Sequence, residues 1–119
     1  MQAHFQTFAR YNAWANHRLF AALAGLPAEA LEAEHPAAFF KSIMGTLNHI
    51  LVVDRLWLGR VLRQDSGALA LDTVLYQNFE KLRGARQEAY GAFLGLHQLG
   101  PTDTIRKCLS TDAARLAFR

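Results

Sequence analysis

The feature that most constrains this chain is the three- and four-residue spacing of its apolar side chains over three long segments. From Gln2 to Leu23, Phe5, Phe8, Ala15, Leu19 and Ala22 fall in one stripe, with Asn12 filling its gap. Ile43, Leu47, Ile50, Asp54, Trp57 and Val61 repeat the pattern in a second segment, and Val53 and Leu56 widen its apolar face beside His49. A third series joins Leu75, Phe79, Leu82, Arg86, Ala89, Phe93 and Leu96. A side chain returns to the same face of an α-helix after three or four residues, whereas a half-buried strand alternates every second residue. No alternating run of useful length exists, so the expected class is all-α and the expected architecture an antiparallel helix bundle.

Local chemistry marks where these helices start and stop. Gly25 is expected to end the first helix in a left-handed cap, and Pro27 blocks its continuation. A helical turn is expected at Ala28-Glu29-Ala30-Leu31, followed by a break at His35-Pro36 ahead of Phe39-Phe40. Ser42 is the expected N-cap of the second helix, which runs to about Arg63 before Asp65-Ser66-Gly67. The third helix is expected from Val74 to Leu96, with Gly84, Gly91 and Gly95 each costing up to about 1 kcal/mol relative to alanine. Beyond Gly100-Pro101, Thr102 or Asp103 caps an expected shorter helix carrying Ile105, Leu109, Ala113 and Leu116.

A length of 119 residues suits one domain spanning 1–119, and 51% hydrophobic against 19% charged residues excludes the profile of a disordered chain. The net charge of +3 comes from Lys and Arg scattered along the whole length. Nucleic-acid binders cluster such charge on one face, so no nucleic-acid partner is expected. The single cysteine, Cys108, excludes an intrachain disulfide and fits a reducing compartment. Neither a basic-then-apolar leader nor a run of about 20 apolar residues is present, so the expectation is a cytoplasmic protein without a membrane partner.

Histidine is the commonest metal ligand, and the chain has histidines at 4, 17, 35, 49 and 97. His49, central in the second helix, faces the bundle interior or its edge. It is either a candidate ligand or a core imidazole satisfied by polar neighbours. His4 and His17 lie about 20 Å apart along their helix axis and cannot share an ion. His35 and His97 are expected at the surface. No His-x-x-x-His or Glu-x-x-His pair provides a helical half-site. Asn12, Asp54 and Arg86 occupy stripe positions normally given to apolar residues, so they are expected to pair across helices. Trp14 and Trp57 read as core or interface aromatics. Phosphate-binding glycine loops, nucleophile elbows and Cys-x-x-Cys pairs are missing.

Several blocks in order resemble the DinB family: Tyr11-Asn12-Ala13-Trp14-Ala15-Asn16; Phe39 through Leu51, including Gly45-Thr46-Leu47-Asn48-His49; Asp54-Arg55-Leu56-Trp57-Leu58-Gly59-Arg60; and Asp72 through Tyr76 with Phe79 through Arg83. The resemblance covers residues 1 to about 90. It implies a four-helix bundle with a long crossover, often dimeric, that holds a divalent metal, nickel or zinc, through three histidines. His49 matches the first ligand. The other two form a His-x-x-x-His pair on the family's last helix, and this chain has no such pair. The fourth helix is therefore expected to be short, divergent or incomplete. Divergence, truncation and a shifted reading frame each account for an end that departs from the family beyond Tyr90. The implied function is a divalent-metal enzyme of hydrolase or thiol-dependent transferase type with an incomplete histidine triad, acting on an unidentified small molecule. The alternative is a non-catalytic helical scaffold or dimerisation module that has lost the metal site, and either form is expected to be a homodimer.

Overall fold

A computed structural model describes residues 2–64, 67 and 69–95. They form four helices: α1 (Gln2–Leu23), α2 (Ala28–Glu32), α3 (Ile43–Leu62) and α4 (Phe79–Gly95). No strand occurs among the described residues. α4 packs against both α1 and α3, and short α2 packs on α3. Phe20 meets Phe79 while Asn16 meets Arg86, so α1 runs antiparallel to α4. Asn48 meets Tyr76 and Asp54 meets Arg86, so α3 and α4 run in the same direction. Parallel neighbours need a connection that returns along the helix length, and residues 63–78 supply that crossover.

The core comprises Phe20 of α1, Leu31 of α2, Met44, Leu47 and Leu51 of α3, and Leu82, Ala85 and Ala89 of α4. On α3 the fully buried line is Met44, Leu47, Asn48, Leu51, Val52 and Gly59. Ile43, Ile50, Asp54, Trp57 and Val61 flank it, half-buried. The expected stripe is thus rotated by about one residue, toward Met44, Asn48 and Leu51, which face the core.

α1 departs further from expectation. Phe5, Phe8, Leu19 and Ala22 of its expected core stripe are exposed, and the buried residues are Asn16 and Phe20. Apolar side chains lie on more than one side of this helix, so periodicity alone cannot choose between faces. The face that meets α4 is the one that can pair with Arg86. Nor does Gly25 form the expected left-handed cap: it lacks a positive φ. The chain leaves α1 through tightened turns, with Gly25 N donating to Ala22 O (3.3 Å) and Leu26 N to Leu23 O (3.0 Å).

The start of α3 follows its sequence signal. Ser42 has extended backbone, and its Oγ accepts from Gly45 N at 3.0 Å. The preceding loop comes so close that a Cβ on residue 45 would clash with Phe40 O, which only glycine avoids. At the other end Arg63 takes a left-handed conformation (φ 55°), and Gln64 N donates back to Gly59 O at 2.8 Å.

α4 begins five residues later than Val74, at Phe79. Asn78 Oδ1 accepts from Lys81 N at 3.0 Å and caps the helix there, while the backbone before it is engaged elsewhere. The expected fourth helix, with Ile105, Leu109, Ala113 and Leu116, lies outside the described residues, as do Cys108 and His97. No helix among the described residues is long and apolar enough to cross a membrane.

Candidate functional site

His49 sits in the second turn of α3, half-buried at the bundle edge. Two contacts fix its ring. Phe40 stacks on it, with centroids 3.9 Å apart and planes 17° from parallel. Nδ1 lies 2.8 Å from Leu71 O. A carbonyl oxygen can only accept, so Nδ1 donates and carries the ring proton. The neutral imidazole then keeps its lone pair on Nε2. Metal-binding histidines are commonly oriented in this way, one nitrogen donating to a carbonyl while the other ligates.

The residue before it carries no chemical signal of its own in the sequence. Asn48 is 1% exposed and makes four hydrogen bonds. Nδ2 donates to Met44 O (2.9 Å) and Tyr76 O (3.0 Å); Oδ1 accepts from Leu75 N (2.9 Å) and Tyr76 N (3.0 Å). Leu75 and Tyr76 are not helical, and Asn48 satisfies their backbone groups where no helix or sheet partner does. An amide has two donors and two acceptor sites, so Asn48 is saturated. An open cleft of about 420 Å³ lies alongside, with Asn48, Phe40, Met44 and Tyr76 in its lining and Glu32, Glu34 and Lys41 as charged members. Phe40 therefore both walls this cleft and supports His49.

A second polar centre joins α1, α3 and α4. Arg86 is 1% exposed and gives one terminal nitrogen to Asp54 and the other to Asn16 Oδ1. Asn16 Nδ2 donates to Asn12 O (2.7 Å) and Oδ1 (3.0 Å). The expected pairing of Asn12, Asp54 and Arg86 is present, with Asn16 as an intermediary that the apolar stripes do not single out. Its signal was available, since Asn16 lies one helical turn after Asn12. Arg86 Nε has no partner among the described residues. Burial pulls the guanidinium down to about 10, with Tyr90 acting in the opposite sense. Arg86 is still charged at neutral pH.

The remaining candidates do not join His49 in a donor set. His4, His17 and His35 are exposed. Among the described residues no three His, Cys, Asp or Glu side chains converge. The described residues thus offer a metal one oriented imidazole and do not fit a complete three-ligand site. Trp14 is 53% exposed and tilted against Tyr11, with centroids 5.6 Å apart, so it is not a core aromatic among the described residues. Trp57 is half-buried beneath Arg60.

The arrangement defines an all-α bundle with a crossover connection and a histidine presented from its second long helix. The DinB family model matches residues 1–106, and the chain belongs to the DinB family. This match continues past Tyr90, beyond the blocks that carry the resemblance, so the expected departure from the family after Tyr90 does not hold as far as residue 106. No curated protein and no solved structure matches the chain at a significant level.

Proposed function

We propose that this DinB-family chain binds a divalent cation, nickel or zinc, through Nε2 of His49 as one donor of an incomplete site. The supporting observation is the Leu71 carbonyl at 2.8 Å from Nδ1, which reserves the other nitrogen. One imidazole leaves a cation mostly hydrated, so binding is weak unless further donors come from outside the described residues or from a second copy. The neighbouring cleft, which shares Phe40 with His49 but is not lined by His49 itself, is large enough for a small molecule, and an enzyme of hydrolase or thiol-dependent transferase type is the activity the family suggests. The described residues supply no base or nucleophile to which a step can be assigned.

Calorimetric titration of the metal-free protein with nickel or zinc tests this reading. His49→Ala is expected to remove one binding event per chain. Equal stoichiometry and affinity in the two proteins would overturn the assignment.

A second reading, a self-associating helical module, is favoured by α1, where Phe8 (70% exposed), Tyr11 (64%) and Trp14 (53%) present aromatic surface. Exposed apolar surface of this kind commonly marks an interaction site. Light scattering is expected to give a homodimer that Phe8→Glu with Trp14→Glu converts to monomer. A wild-type protein that stays monomeric at high concentration would sink this reading.

A further inference from the structure

His49 owes its orientation to a carbonyl on a different segment, so something must hold that segment in place. Residues 71–76 are not helical; the side chains of Leu71 (52% exposed) and Val74 (55%) bury little, whereas Leu75 and Tyr76 pack against the core at the end away from His49. A turn closed by Thr73 N donating to Ala70 O (3.0 Å) surrounds Leu71, but it is internal to the segment and does not attach it to α3. Attachment occurs at the far end. Asn48 binds Leu75 N, Tyr76 N and Tyr76 O with a single amide group, and Arg55 adds a bond to the Tyr76 hydroxyl at 3.1 Å.

Asn48 and His49 are consecutive on α3, yet they grip opposite ends of the same strap. Asn48 is buried and fixed by its additional bond to Met44 O, whereas the single bond of His49 sits in an exposed setting. Of the two contacts, the saturated amide is therefore the one able to hold the strap against thermal opening.

The geometry points to Asn48 as a positioning residue for His49: by tying the strap to α3 it keeps the Leu71 carbonyl on Nδ1 and so sets the ring tautomer that leaves Nε2 unprotonated. The role does not depend on a metal. It rests on the proposed function only for the use to which the Nε2 lone pair is put.

The test is nitrogen NMR of the imidazole in metal-free, chelator-treated protein above the ordinary histidine titration range. In the wild type, Nδ1 of His49 is expected to be pyrrole-like and Nε2 pyridine-like. In Asn48→Ala, both resonances are expected to move toward the averaged values of a free ring. Amide exchange at Leu75 and Tyr76 is expected to be about tenfold faster. Asn48→Asp keeps acceptors for both amides but loses the two donations, and an intermediate tautomer shift is expected. Ser42→Ala, which loosens α3 elsewhere, is expected to leave the tautomer unchanged.

A wild-type ring protonated on Nε2 overturns the proposal even if Asn48→Ala does not fold. So does faster exchange at Leu75 and Tyr76 without a tautomer change. Because no metal is present, failure here is separate from failure of the nickel titration.

Discussion

Two buried polar centres less than two turns apart on α3 solve the same problem differently. Asn48 carries no charge, and every donor and acceptor it owns is matched, mostly by backbone groups that would otherwise be orphaned. Arg86 carries a full charge into the core, has Asp54 as counter-ion and Asn16 as support, and leaves Nε without a partner among the described residues. A saturated neutral group fixes backbone at little electrostatic cost. A buried cation costs several kcal/mol to desolvate, and its partners offset this only while all of them are present. The first centre therefore governs local order around His49; the second makes the three-helix packing depend on a few side chains.

This contrast predicts a ranking of effects. Asp54→Ala leaves the Arg86 charge buried without its counter-ion and is expected to cost about 3–5 kcal/mol in urea unfolding, the largest single effect. Joint replacement of Asp54 by Leu and Arg86 by Met is expected to recover most of that loss. A double variant no more stable than Asp54→Ala would mean that the ion pair is not the source. Asn48→Ala strands two backbone N–H groups and is expected to cost about 2–3 kcal/mol by the same measurement.

Ser42→Ala removes one cap bond and is expected to cost about 1 kcal/mol, with unchanged exchange at Leu75 and Tyr76. The smallest expected effect is the coupling between the centres. In a cycle combining Asn48→Ala with Asp54→Ala, the two losses are expected to add within about 0.5 kcal/mol, since the centres share no partner. A larger coupling would show that the strap and the helix packing yield together.

Much of the fold was legible in the residues. The bounds of α1 and the cap at Ser42 depend on groups within a few positions of each other, and the sequence reading placed both. The polar residues Asp54 and Arg86 were conspicuous because they interrupt apolar stripes. His49 stood out through its central position and its place in a block that resembles the DinB family. Asn48 did not stand out, because an asparagine in a helix gives no sign of what it will bind; its partners lie 27 and 28 positions away. The start of α4 is hidden in the same way: the Leu75 spacing fits a helix, but the chain at Leu75 and Tyr76 is non-helical and tied to α3 by Asn48.

The sequence by itself determined that the chain is helical, where most helices begin and end, and which polar groups needed partners. These follow from the 3.6-residue repeat and from capping within one turn, both local properties. The tertiary structure alone decided which side of α1 is covered, that α3 and α4 run in the same direction, and which nitrogen of His49 keeps the proton. Each of those depends on a group distant in sequence being brought within hydrogen-bonding or packing distance, and no local pattern encodes that approach.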